Sequence, residues 1–189
     1  RRSFRWYART LGPDEIAPFK RKLAEQEFGA NHMCNYAHLP IFMLHGDADF
    51  GIPVRQSRAM HERLREMGAD VQYVELEGEG HFFFYRQTEA RPDLVKWLKE
   101  KRRPAPPRRF TYRTYTLKYG RGYWAEILGI DDWSKPAQIT CQLDEKGTAL
   151  EVRTGNVSAF RVNVPREFSP DPNAVRITWN GSGPVASSW

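Results

Sequence analysis

Leu39-Pro40-Ile41-Phe42-Met43-Leu44 is a short apolar run that stops at His45-Gly46-Asp47, and it constrains the fold more than any other segment. An apolar run without alternation is how a strand reads when helices cover both faces of a parallel sheet. The residues that follow agree with this. Pro53 suits a helix's first turn, Met60, Leu64 and Met67 recur at spacings of 4 and 3 to make one apolar stripe, and Gly68 supplies a stop. Val71–Leu76 then reads as a second strand ended by Gly78 and Gly80, and a last helical pattern carries Leu94, Val95, Trp97 and Leu98. The order strand–helix–strand–helix favours a right-handed crossover and an α/β fold with a parallel sheet. Two parallel strands by themselves leave long unpaired edges. The expectation is therefore the C-terminal portion of a larger sheet, with further strands upstream.

The pattern changes at residues 101–109, where Lys101, Arg102, Arg103, Arg108 and Arg109 are broken by Pro104, Pro106 and Pro107. Strand-like runs follow at 113–119, 137–143, 149–154, 159–164 and 175–179. Turn residues such as Asp144-Glu145-Lys146-Gly147, Gly155-Asn156 and Asn180-Gly181 separate them. Short strands at roughly 10-residue spacing predict a small, mostly antiparallel, sandwich-like β-domain. Three parts are expected: an α/β part over 1–100, a basic Pro-rich linker over 101–109, and an accessory β-domain over 110–189.

Charge separates the same two halves. The net charge is +6, yet residues 1–100 hold 15 Lys/Arg and 15 Asp/Glu, so the excess lies beyond them and five of its bases sit in the linker. A basic cluster broken by prolines predicts a solvated connector rather than a phosphate-tracking face, and no nucleic-acid partner. No apolar run approaches the ~20 residues needed to span a bilayer, so no membrane partner is expected either. Cys34 and Cys141 lie on opposite sides of the linker and are too few for a disulfide framework. The first residue is Arg1 rather than Met, so the lack of a signal-like segment leaves location open.

Chemistry concentrates in His45-Gly46-Asp47-Ala48-Asp49-Phe50-Gly51-Ile52-Pro53 and, 32 residues after Asp49, in Gly78-Glu79-Gly80-His81. Parallel strands put their C-terminal loops on one edge of the sheet. A carboxylate on one such loop can accept the Nδ1 proton of a histidine on the next. That bond fixes the imidazole tautomer and stabilises the imidazolium formed when the ring takes a proton from a nucleophile. The glycines around His81 permit a tight loop that presents the ring. Asp47 competes with Asp49 for the role of acid.

In this combination the chain resembles the prolyl-oligopeptidase-like (peptidase S9-type) branch of the α/β-hydrolase superfamily. That branch has an apolar strand, His-Gly-x-x-Asp-x-x-Val/Ile-Pro, a Ser-containing helix, a second strand and Gly-x-Gly-His. Ser57, Met60, Leu64 and Gly68 also stand in family-like places, and the resemblance covers roughly residues 20–100. It implies that Asp49 is the triad acid and His81 the triad base, with Asp47 capping the turn. It also implies a serine hydrolase, peptidase or esterase, that works through a covalent acyl-enzyme without a cofactor. Triad order in this superfamily is nucleophile, acid, base. Neither Ser3, the one serine before Asp49, nor any other serine has the flanks of a Gly-x-Ser-x-Gly elbow, and Cys34 lacks them too. The expected partners are a peptide or ester substrate and an upstream hydrolase segment that supplies the nucleophile. The 189-residue chain alone is expected to be inactive. Many relatives with a trailing β-domain are extracytoplasmic bacterial proteins.

Other residues admit two readings. Phe82 and Phe83, which open Phe82-Phe83-Phe84-Tyr85, could wall a substrate pocket or pack in a core. His32, Cys34 and His38 lack a fourth ligand, and no metal is expected. Tyr123, Trp124, Trp133 and Trp179 suit either carbohydrate stacking or the core of a β-domain. From these aromatics comes the alternative function: a non-catalytic accessory or carbohydrate-binding module attached to an inactive hydrolase scaffold.

Overall fold

A computed structural model describes residues 25–26, 29–82, 92–169, 171, 174–182 and 184–185. Among these, the chain divides into two compact units. Tyr36–Pro104 form the first, and the residues from Ala105 onward, with 25–26 and 29–35, form the second.

In the first unit β1 (Ile41–Gly46) and β2 (Val71–Leu76) pair in parallel, in a register that runs from Ile41↔Val71 to Gly46↔Leu76. Between them lies α1 (Arg55–Glu66), whose Leu64 is fully buried. The helix ends on a Schellman motif. Ala69 N–H donates to the Leu64 carbonyl and Gly68 N–H to the Arg65 carbonyl, and Gly68 takes the left-handed φ of +76° that this cap requires. The chain is thereby turned straight back into β2. A second helix, α2 (Pro92–Glu100), sets Trp97 edge-on against Phe42 of β1 at 5.5 Å. The strands are less covered than an apolar run predicts. Ile41–Leu44 are half-buried, and Gln72 and Glu75 of β2 are exposed.

The second unit holds two sheets. The larger has the order β10-β9-β7-β6-β3 and is built from β3 (Arg109–Thr114), β6 (Ala137–Leu143), β7 (Ala149–Gly155), β9 (Arg176–Trp179) and β10 (Pro184–Val185). All its pairs are antiparallel except β7 with β9. The smaller is antiparallel, β4-β5-β8, from β4 (Arg121–Gly122), β5 (Ala125–Gly129) and β8 (Ala159–Val162). Strand β6 alternates cleanly, with Ala137, Ile139, Cys141 and Leu143 buried. These join Phe110, Ile127, Leu150, Val152 and Val162 in one apolar cluster fed by both sheets. Each large side chain so buried contributes about 1.5–3 kcal/mol.

Two details depart from the sequence expectation. The run at 113–119 is not a strand. The strand lies earlier, at Arg109–Thr114, and Leu117–Tyr119 form a 3-10 turn. Thr114 explains the break, because its hydroxyl donates to the Thr116 carbonyl and accepts from Thr116 N–H, which diverts the backbone from the ladder. The linker is also less free than its composition implies. Residues 102–106 are exposed, but Lys101 pairs with Asp70, while Arg108 donates to the Asp144 carbonyl and lies over the Phe168 ring.

Residues ahead of β1 contribute to the second unit through Asn35. Its side chain accepts from Arg113 N–H at 2.8 Å and donates to the Arg113 carbonyl at 2.7 Å. Those bonds occupy backbone groups on the outer edge of β3 that a further strand would otherwise take.

Candidate active site

Because β1 and β2 end level, at Gly46 and Leu76, their outgoing loops start side by side. Backbone bonds then zip the loops together: Asp47 N–H to the Leu76 carbonyl at 3.0 Å, and Ala48 N–H to the Glu79 carbonyl at 3.0 Å. Asp47 adds its side chain, with Oδ1 accepting from Gly78 N–H at 2.7 Å. Gly46 makes the approach possible. A Cβ there would stand 2.2 Å from the Glu79 carbonyl oxygen, so only glycine lets the second loop lie against the end of β1.

This zipper delivers Asp49 and His81 to each other. His81 Nδ1 lies 2.8 Å from Asp49 Oδ2. The carboxylate's other oxygen, Oδ1, accepts from Gly51 N–H at 2.8 Å and from Ile52 N–H at 2.7 Å. His45, at the end of β1, brings its Nε2 to 3.3 Å from Oδ2. The two partners differ in access: the Asp49 side chain is 5% exposed and that of His81 40%. Burial alone would push the Asp49 carboxyl up. The hydrogen bonds from Ile52, His81 and Gly51 outweigh it and hold the group below the ordinary aspartate value. A fixed carboxylate that accepts the Nδ1 proton leaves the lone pair of His81 on Nε2, the nitrogen able to take a proton from a bound hydroxyl.

The expected site residues fall in different places. Asp49 and His81 meet. Asp47 faces Gly78 instead, and so braces the loop that carries His81. Phe82 sits beside His81, with ring centroids 5.1 Å apart and edge-on, and is 60% exposed. Phe83, with Phe84 and Tyr85, lies outside the described residues. His32 Nε2 bonds the Gln26 carbonyl, and Cys34 Sγ donates to Asn35 Oδ1; burial pushes the Cys34 thiol up. No three His, Cys, Asp or Glu side chains cluster as metal ligands among the described residues.

Of the four aromatics that suit carbohydrate stacking, Trp124 is buried with its Nε1–H on the Pro107 carbonyl. Trp179 donates to Thr154 Oγ1, and the Tyr123 hydroxyl donates to the Asn35 carbonyl. Trp133 is half exposed.

Sequence reasoning missed what supports the acid. His45 and Ser57 lie 12 residues apart, and nothing in the spacing alone pairs a strand-end histidine with a helix serine. The close approach that requires Gly46 is likewise a matter of loop packing, which the motif does not reveal.

A profile of the prolyl oligopeptidase family matches residues 9–103. A protein of Arthroderma benhamiae described as an "Uncharacterized secreted protein" is 31% identical over 172 residues, which cover 78% of this chain and 17% of that protein. The chain thus spans less than a fifth of the length of the curated relative it matches. No solved structure gives a significant match.

Proposed function

Because this chain belongs to the prolyl oligopeptidase family, we propose that it carries the acid and base of a serine hydrolase, Asp49 and His81, and that a segment outside these 189 residues supplies the nucleophile. The family implies an α/β-hydrolase fold. On this reading β1 and β2 belong to that fold's parallel sheet, residues 101–109 are the connector, and the two sheets after it form a sandwich-like accessory domain. The single apolar cluster that both sheets feed supports the last point.

The observation that carries the proposal is the 2.8 Å contact from His81 Nδ1 to Asp49 Oδ2 at the shared end of two parallel strands. His81 Nε2 removes the proton from a serine hydroxyl as the oxygen attacks a peptide or ester carbonyl. It then returns that proton to the leaving amine or alcohol. Asp49 keeps its charge throughout and stabilises the imidazolium. A water molecule, deprotonated by the same ring, hydrolyses the acyl-enzyme. Burial of the acid and exposure of the base suit these roles, since the acid orients and the base must reach substrate. Phe82, edge-on to the imidazole, forms one wall of the substrate site.

The test has two steps. The coding sequence upstream of Arg1 should encode a strand followed by Gly-x-Ser-x-Gly, and the full-length protein should react with a fluorophosphonate at that serine. His81→Ala should slow the labelling by about 10³-fold or more. A substituted elbow, or a full-length protein that no fluorophosphonate labels, overturns the hydrolase and leaves the non-catalytic module.

A further inference from the structure

We propose that His45 and Ser57 are positioning residues for the acid: the Ser57 hydroxyl holds the His45 ring in place, and His45 Nε2–H fixes Ile52, whose own N–H keeps the Asp49 carboxylate where it can receive His81. The proposal rests on the reading of Asp49 and His81 as acid and base.

His45 is 7% exposed. Its Nε2 lies 2.9 Å from the Ile52 carbonyl oxygen and 3.3 Å from Asp49 Oδ2, and its Nδ1 lies 2.5 Å from Ser57 Oγ. The Ile52 carbonyl can only accept, so Nε2 must carry a hydrogen. In the neutral ring Nδ1 is then bare and must itself accept, which makes Ser57 the donor. The Nε2 hydrogen goes to the Ile52 carbonyl, and Asp49 Oδ2 lies 3.3 Å from the same nitrogen. His81 carries its hydrogen on the opposite nitrogen, Nδ1, in order to donate to the same carboxylate oxygen. Two imidazoles of opposite tautomer therefore converge on Asp49 Oδ2.

The other oxygen is taken by the amides of Gly51 and Ile52. Three hydrogen bonds, with the His45 ring against Oδ2, leave the carboxylate little freedom to turn. Ser57 lies in the first turn of α1, and through His45 it ties that helix to Ile52 in the acid loop. With no hydroxyl at position 57, the His45 ring keeps its Nε2–H form but loses the contact that holds it against Ile52. Ile52, whose N–H bonds Oδ1, is then free to shift. That shift would move the carboxylate relative to His81, so a change at Ser57 should be read at His81, although no bond joins the two.

Long-range 1H–15N spectra of the ¹⁵N-labelled chain in mildly alkaline buffer read each tautomer directly, with the five histidines assigned by single His→Gln changes. The expected wild-type result is Nε2–H at His45 and Nδ1–H at His81. In Ser57→Ala the Nδ1–H fraction of His81 should fall, and Ser57→Thr should restore it. A His81 that is not Nδ1–H in the wild type sinks the acid–base reading itself. A His81 that is Nδ1–H and unchanged by Ser57→Ala overturns the positioning role and leaves the acid–base reading standing. An Nδ1–H form of His45 in the wild type overturns it without any variant, which covers the case in which Ser57→Ala does not fold.

Discussion

The two units are held together by different forces. Seven large side chains are fully buried among the described residues; six of them (Phe110, Ile127, Ile139, Leu150, Val152 and Cys141) lie in the second unit, and Leu64 is alone in the first. The histidine–carboxylate contacts His45–Asp49 and His81–Asp49, by contrast, lie in the first. The second unit is an apolar core with polar groups at its turns. The first is a pair of half-buried strands whose ends are laced by directed hydrogen bonds. Apolar burial is non-directional and confers stability. Placing a carboxylate within a few tenths of an ångström of an imidazole needs directed bonds, and the first unit concentrates these where the strands end.

Substitutions can break this comparison, and the largest effect falls on the directed bonds. Asp49→Asn in the full-length protein would lower the rate of turnover by about 10⁴-fold, because an amide neither stabilises an imidazolium nor enforces the Nδ1–H tautomer. Steady-state kinetics on a small ester would show it, and a loss under about tenfold would refute Asp49 as the acid. Next comes the apolar core. Ile139→Ala leaves a cavity between fully buried neighbours and should cost about 2–5 kcal/mol in urea unfolding. The His81 tautomer should stay as it is; a change there would show that the core positions the site after all.

Gly46→Ala is smaller in energy, about 1–3 kcal/mol, but it strikes the zipper. The new Cβ would stand 2.2 Å from the Glu79 carbonyl oxygen, so the loop before His81 must move off β1. The chain should fold and yet lose the His81 Nδ1–H signal. A variant with that signal intact would mean that the loops do not depend on the close approach.

How much of this was legible depended on whether the signal was local. The meeting of Asp49 and His81 could be read because parallel strands share an edge, a rule of topology rather than of contacts. Strand β6 could be read because Ala137, Ile139, Cys141 and Leu143 keep strict alternation. Strand β5 (Ala125–Gly129) could not. It is framed by Gly122 and by Tyr123 and Trp124, and Tyr123 takes a positive φ of 55° that its side chain gives no hint of. The threonines at 114 and 116 read as strand formers by propensity, but a side-chain bond between neighbours overrode it. The support of Asp49 by His45 and Ser57 depends on tertiary distances, which no spacing encodes.

Acid provides the finest comparison, because carboxylates stabilise both units but only one has a large core behind them. In the first unit Asp49 is held below its ordinary value, with burial opposing and the Ile52, His81 and Gly51 donors prevailing. Glu75 is lowered to about 2, chiefly by the Arg58 guanidinium and then by the Tyr73 hydroxyl. In the second unit Asp144 is lowered by the N–H groups of Ala149 and Thr148 at the turn before β7. A carboxyl depressed on folding contributes stability that is complete above its unfolded value, about 3.9 for Asp and 4.3 for Glu, and is lost as pH falls through the folded one. All three contributions therefore fade as pH falls below about 4, that of Glu75 through about 2. The Glu75 share is modest, because that pair is exposed and screened. Amide signals followed from pH 5 downward should show Ile41–Gly46 and Val71–Leu76 weakening first, as the Asp49 network takes up protons, while Ala137–Leu143 and Ala149–Gly155 persist on apolar burial alone. Loss of all four strands in one step would show that a single cooperative structure spans both units, and that the apolar core stabilises the site as much as its own hydrogen bonds do.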